Sequence, residues 1–477
     1  MYQSTFMGLN TALRGVLAHQ NALDVTGHNI SNISTEGYTR QRAEMVTSPA
    51  WSNSSALSAT TPGQMGTGVE VLRLERLRDQ YIDSNVRQQF GRQGDAQTLV
   101  EQLAQVEAAF QEPGDNGLKA LMNNFWSTMD AVASNPQSMS ARQAFAEASN
   151  ALADGFNQVS NDLSAVATQS DLRLNQTVTD VNAISQRIAQ INAEVKNALD
   201  HGHQPNDLLD ERDRLMDDLS KKINYTWTEN GTTGEVTITF GTTIPILLVD
   251  PAAAGGFNAI ARSDLDTAFG NGDLTSGQAF ADESLWDPAT GIIPGYIAQL
   301  DTLVSDFVAG VNAAHGAGTD LTGAAGGNIF DPLGVTAATI QLDPGNDISV
   351  SPTLIAASSS APGPAEPGNG GNFISMLDTV RNAAQVALGG QSWEGFYTST
   401  ITAIGARTDT ANRDMANADV LVDMAMSRRD QVSGVSMDEE MSNMLRFQHA
   451  YNASARVMTT MDEAIDTIIN RMGRVGL

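Results

Sequence analysis

The sequence predicts a mainly α-helical, multi-domain protein with an inserted β region, its two chain ends brought together as long coiled-coil helices. Three observations predict it. Both termini carry apolar residues in alternating steps of three and four, the coiled-coil repeat. The same spacing returns in several long internal stretches. Between them, over residues 223–240, the period drops to two, as in a half-buried strand.

The carboxy-terminal stretch is the clearest. From Ser436 to Met472 one seam reads Met437, Met441, Met444, Gln448, Tyr451, Ala455, Met458, Asp462, Ile465, Ile469 and Met472. An adjacent seam reads Phe447, Ala450, Ser454, Val457, Met461, Ala464 and Ile468. One seam is satisfied by one partner; two call for neighbours on two sides. Ser436 and Glu439 have capping-box spacing, and Gly434 suits the end of a preceding helix. At the other end Phe6, Leu9, Leu13, Val16, Gln20, Leu23, Gly27 and Ile30 step in the same way. Asn29, Asn32, Ser34 and Gly37 are turn and cap formers, so that helix should stop there.

Residues from there to Leu77 are rich in Ser, Thr and Gly, with one alternating run at Val69–Leu74. Helical stripes follow at Leu99, Leu103, Val106 and Phe110, and at Leu118, Met122, Phe125, Met129 and Val132. Residues 140–199 keep heptad steps through Leu152, Phe156, Val159, Leu163 and Val166, slip near Ser170, and resume at Val181, with room for one break. Asn206 opens a charged helix to Lys222. Ile223–Trp227 and Val236–Phe240 then read as a β-hairpin about an Asn-Gly turn. The chain stays Gly-rich, with little helix signal, to Trp286. Helix returns over Ile297–Val311, with strands expected at Ile340–Asp343 and Ile348–Val350. Residues 361–371 have the composition of a linker, and a stripe from Tyr397 to Val422 leads into the final hairpin. The expected domains are a terminal helical one (1–77 with 393–477), a helical middle (78–222 with 294–320) and an outer β-rich insert (223–293 with 321–371). Residues 372–392 form the path back.

Composition narrows the function. The 27 basic and 55 acidic residues give a net charge of −28, which argues against nucleic acid and anionic membranes as partners. The ends are nearly neutral, so the negative charge lies in the middle. The absence of cysteine removes disulfides, thiolate metal sites and cysteine nucleophiles. No secretory leader of the usual kind and no membrane-spanning run stands in the sequence.

The one enzyme-like constellation is His201, His203, Asp207 and Asp210, whose imidazoles and carboxylates could hold a metal ion. A solvated turn leading into a charged helix explains it better, since the spacing matches no closed site. His315 reads as a turn residue. No nucleophile elbow, P-loop or dinucleotide fingerprint is present. The expectation is therefore no catalytic residue, no metal and no cofactor.

Two motifs carry a resemblance. Asn29-Ile30-Ser-Asn32-x-x-Thr35-x-Gly37-Tyr38 resembles the amino-terminal signature of the bacterial flagellar rod, hook and hook-associated protein family, with Ser31 where alanine is usual. Gly434-Val-Ser-Met437-Asp-Glu-Glu-Met441 and Gln448-x-x-Tyr451-x-Ala453-x-Ala455-Arg456 resemble its carboxy-terminal signature, with Met437 in place of leucine. Asn206-Asp-Leu-Leu-Asp-Glu-Arg-Asp213, the stretch from Val311 to Gly323, and Tyr38-Thr-Arg-Gln41 look like the member that joins hook to filament.

The resemblance implies a structural subunit forming a ring of its own copies at the hook–filament junction, on which the filament assembles. It implies as partners the hook protein, hook-associated protein 3 and a cytoplasmic export chaperone bound at the carboxy-terminal helix. It also implies export without a cleaved leader to the extracellular flagellum. Leu9, Leu13, Val16, Leu23 and the signature from Asn29 to Tyr38 would then serve assembly. So would Met437, Met441, Met444, Phe447, Gln448, Tyr451, Ala455, Arg456, Met458, Ile465, Ile468 and Ile469, which would also serve the chaperone. A hook or distal-rod subunit is the nearest alternative, and a metal-dependent enzyme with helical oligomerisation ends a more distant one.

Overall fold

The computed structural model describes residues 6–50, 66–112, 114 and 117–471. Helices form where apolar residues are spaced by three and four. They are α1 (Met7–Ser31), α2 (Gln80–Phe110), α3 (Leu118–Ser134), α4 (Met139–Asp200), α5 (Asn206–Lys222), α6 (Arg262–Gly270), α7 (Gln278–Trp286), α8 (Ile292–Gly316), the short α9 (Gly371–Ser375), α10 (Trp393–Ser433) and α11 (Met437–Asp466). β1 (Gln41–Thr47) pairs antiparallel with β2 (Val69–Arg76). β3 (Thr226–Glu229), β4 (Val236–Phe240) and β5 (Ile246–Val249) make an antiparallel meander, with Val236, Ile238 and Phe240 turned inward as the alternation requires. The fold is mainly α with a β insert. Met472, the last seam residue expected on the final helix, lies outside the described residues.

α4 runs unbroken. Its buried residues step Val166, Ser170, Leu174, two fours in succession. The slip near Ser170 is thus a stutter within one helix.

By its contacts the chain divides into two compact units. The first comprises residues up to Phe90, Val181–Ile260 and those from Val420 on; the second comprises Gly91–Asp180 and Ala261–Asp419. The β meander therefore goes with the terminal helices, and residues 321–371 go with the second unit.

That second unit has an aromatic centre. Phe125 lies 5.2 Å from Phe145 and 5.5 Å from Phe307 between ring centroids, and Trp126 stacks on Trp393 at 6.0 Å. His315 is not a turn residue but sits in the last turn of α8, fully buried. Its Nδ1 lies 2.6 Å from the Gly327 carbonyl, and its Nε2 accepts the Ala356 N–H at 2.8 Å. Burial lowers its pKa to about 4, so the ring is neutral and ties two loops to the helix.

Two local expectations fail. Residues 262–286 carry α6 and α7 where little helix was expected. The expected strands at 340–343 and 348–350 are absent: Ile340 and Ile348 are buried on irregular chain, and an isolated bridge joins Phe330 to Leu342. Two backbone bonds make that bridge, Asp331 N–H to the Gln341 carbonyl and Asp343 N–H to the Ile329 carbonyl, and Asn157 takes the Ala337 and Ile340 carbonyls through its side-chain amide, so these carbonyls are satisfied without a longer ladder.

Candidate assembly site

α1 and α11 lie antiparallel in the first unit. A Cβ on Gly8 would stand 3.1 Å from the Met461 sulfur, and one on Gly15 would stand 3.0 Å from Ser454 Oγ. Asn29 Nδ2 donates to Glu440 Oε2 at 3.0 Å. Seven residues along α1 from Gly8 to Gly15 thus match seven back along α11. The fourteen from Gly15 to Asn29 match fourteen more. Heptad multiples keep one face of each helix toward the other.

The face α1 turns inward is not the expected one. Ala12, Gly15, Ala18, Ala22, Val25, Thr26 and Asn29 are buried. Of the expected seam, Leu9, Val16, Leu23 and Ile30 are only half-buried, while Phe6 and Leu13 are exposed, with Leu17 beside them. Small side chains let the two backbones approach, which pushes the larger apolar groups to the flanks. On α11 only Glu440 is buried. Met444, Phe447, Tyr451, Ala455, Met458 and Ile465 are half-buried; Met437, Met441, Gln448, Arg456, Ile468 and Ile469 are exposed, as are Leu445, Val457 and Met461. The pair therefore satisfies part of each helix and leaves a second apolar face on both.

A polar clamp closes one end of the pair, and the two signatures build it. Asn29 is the centre. Its Oδ1 accepts from the Tyr38 hydroxyl at 2.8 Å and from the Gln41 N–H at 3.0 Å, while its amide donates to the Gln41 carbonyl at 2.8 Å and to Glu440. Arg40 Nε donates to Glu440 Oε1 at 2.8 Å and its Nη1 to Glu439 at 2.7 Å. The expected Ser436–Glu439 capping box is absent, since the Ser436 side chain makes no cap bond and Glu439 turns to Arg40. Gly434 does end α10, its N–H reaching the Asp430 carbonyl. Asn32, Thr35 and Gly37 form the turn beyond α1: the Thr35 hydroxyl bonds Asn32 Oδ1 at 3.1 Å, and Gly37 takes φ 79°. Burial, then Asp210, Asp207 and Glu440, push the Tyr38 phenol up, so it stays a hydroxyl donor.

The interior motif completes the clamp. Asn206 donates to Gln41 Oε1 at 2.9 Å, Asp207 accepts from the Gln41 amide, and Asp210 accepts the Thr39 N–H at 3.0 Å. Asp213 meets Arg76, Arg78 and Arg87 at 2.8–3.0 Å. Arg87 also meets Asp217, which pairs in turn with Arg429 of α10. Burial pushes the Asp213 carboxyl up, but the guanidiniums of Arg78, Arg76, Arg87 and Arg212 overcome it and hold it well below the usual range. Periodicity cannot reveal this hub, which joins residues more than a hundred positions apart. Its signal in the sequence is the motif from Asn206 to Asp213, which the resemblance singles out.

The metal constellation comes apart. Asp207 and Asp210 face the clamp, whereas His201 and His203 are exposed in the preceding turn, His201 bonding the Asn197 carbonyl.

Known proteins show the same ends and middle. The profile described as flagellar hook-associated protein FlgK helical domain matches residues 103–330. The profile for flagella basal body rod protein matches 9–39, and that for flagellar basal body rod FlgEFG protein C-terminal matches 427–472. Flagellar hook-associated protein 1 of Bacillus subtilis is 31% identical over 98% of this chain and 99% of its own length. The chain belongs to the flagellar hook-associated protein 1 family. Its Escherichia coli member is 23% identical over 97% of this chain and 99% of its own. The flagellar hook junction protein FlgK from Burkholderia pseudomallei shares the fold, with a TM-score of 0.56 and 15% identity over 73% of this chain and all of that one. As a member of the hook-associated protein 1 family the chain is a structural, self-assembling part of the flagellum. No helix among the described residues is long and apolar enough to cross a membrane.

Proposed function

We propose that this chain is the subunit of the ring that joins the flagellar hook to the filament and templates filament assembly. The observation that carries the reading is the second apolar face on α1 and α11. Leu13 and Leu17 of α1 with Phe6 at its start, and Met441, Leu445 and Val457 of α11 with Ile469 just past its end, are each more than 40% exposed. Large apolar groups left exposed along a pair of helices mark an interaction surface. In the ring, copies of the same pair cover it, with the terminal helices innermost. The hook protein lies on one side of the ring and hook-associated protein 3 on the other. The work is mechanical: no residue is catalytic and no cofactor is held. The chain leaves the cell through the flagellar export channel.

A clean deletion tests the reading. Expected are cells with complete hooks, no filaments, and flagellin shed to the medium. Loss of the hook itself would instead make this a rod or hook subunit.

Before export, the exposed α11 face needs cover, and the export chaperone supplies it. Truncation after Gly434 is expected to abolish chaperone capture in a pull-down. Capture at wild-type level would place that site elsewhere.

A further inference from the structure

The second unit holds a cluster of charges that the assembly reading does not use. Asp282 and Glu283, adjacent on α7, are both fully buried, at 0% and 1% exposure. Glu283 bonds Arg262 of α6, which also bonds Asp266 and has Asp171 of α4 3.6 Å from its Nε. Arg173 of α4 lies 3.4 Å from Asp282 and 3.7 Å from Glu101 of α2. Two guanidiniums thus face five carboxylates. Asp287, just past α7, adds a sixth near Arg262. The titratable groups of α8, which packs along α7, are engaged elsewhere: Tyr296 with Arg407, Asp301 with the Ala337 N–H, Asp306 with Trp393 and His315 with Gly327.

The bonding is incomplete as well as unbalanced. Neither Asp282 oxygen accepts a hydrogen bond, its contact with Arg173 being an ion pair only, and the Gln102 amide nitrogen and Arg262 Nε and Nη2 make no hydrogen bond either. Arg262 is shared between Glu283 and Asp266, and the neighbouring Asp266 carboxylate disfavours ionisation of Glu283. Buried carboxyls short of donors and cations are stable only when neutral. Arg262 lies 5.1 Å over the Trp286 ring, linking the ends of the two helices, and the Gly277 N–H donates to the Gly91 carbonyl of α2 at 2.9 Å.

We propose that α6 and α7 form a pH-sensitive latch, closed on α2 and α4 while Asp282 and Glu283 are protonated and loosened when they ionise. Burial, together with Glu101, pushes Asp282 up to about 7, with Arg173 only partly offsetting it. Burial and Asp266 push Glu283 up to about 7 against Arg262. Both values are raised above those of the solvated groups. The open form therefore gives up its protons first, and opening becomes easier as pH rises from about 4 to about 7, then levels off.

Hydrogen exchange of the full chain, corrected for intrinsic rates, tests this. Between about pH 5 and about pH 8, residues 262–286 are expected to lose protection at least about tenfold, one unit of differential protonation. Residues 145–166 of α4 are expected to hold theirs. In the Asp282→Asn, Glu283→Gln double variant the loss should vanish. Equal protection at both pH values in the unmodified chain overturns the latch, and so does a loss that persists in a folded double variant. Should that variant not fold, Trp286 emission of the unmodified chain decides, read against a Trp286→Phe control. A transition complete by about pH 7 supports the latch, and a flat profile overturns it.

Discussion

Replacing Asp213 by asparagine is expected to destabilise the chain by about 3 kcal/mol, the low end of the range for breaking a buried ion pair. Three guanidiniums, Arg76, Arg78 and Arg87, converge on this carboxylate. Each keeps a second partner in Asp210, Asp83 or Asp217, which is why the effect does not reach the top of that range. Asn can accept one of these bonds but cannot balance the charge. Asp218→Asn is the control, because its pairs with Arg214 and Lys221 are exposed and such pairs are worth less than about 1 kcal/mol. Denaturant midpoints of the two variants measure the difference; equal midpoints would remove Asp213 from the hub. The pH dependence adds a second check. The folded carboxyl is depressed, so its contribution is complete above the unfolded value near pH ~4 and is lost as pH falls below it. The variant should lose less stability than the unmodified chain on acidification through that window. This is opposite in sign to Asp282 and Glu283, whose protonated forms are the stable ones.

How far the sequence reveals this architecture depends on the range of the interaction. Helices are legible because their signal is local: Leu152, Phe156, Val159 and Leu163 lie on one face whatever they pack against. The β meander is legible for the same reason, through the alternation of Val236, Ile238 and Phe240. α6 and α7 are not, since nine-residue helices hold too few turns for a period to stand out, and glycine-rich flanks read as turns. Ile340 and Leu342 alternate as a strand would, yet the pairing stops at one bridge, Asp331 N–H to the Gln341 carbonyl and Asp343 N–H to the Ile329 carbonyl, and the Asn157 amide takes the carbonyls before it. The capping box fails because Arg40, almost four hundred residues away, offers Glu439 a charge partner. The signatures locate the clamp but not its wiring: Asn29, Tyr38, Arg40 and Glu440 meet only after folding.

The inward face of α1 was the harder case, and a pair of variants turns it into a test. Gly15→Leu is expected to open the α1–α11 pair, because even its Cβ would stand 3.0 Å from Ser454 Oγ. Overpacking of this kind costs roughly 1–3 kcal/mol. Thermal unfolding of the terminal helices should shift down accordingly, and ring formation should fail. Leu13→Ser with Leu17→Ser changes the opposite face. Both leucines are 42–51% exposed, so the pair and its melting should stay within about 0.5 kcal/mol of the unmodified chain. Assembly should nonetheless fail, since this face is the one left for a neighbouring copy. Cells carrying either variant should therefore bear hooks without filaments, while unfolding separates the causes: only Gly15→Leu weakens the single chain. Normal filaments on the Leu13, Leu17 variant would remove the outer face of α1 from the interface. An unchanged melt for Gly15→Leu would show that the close, small-residue contact between α1 and α11 does not hold the pair together.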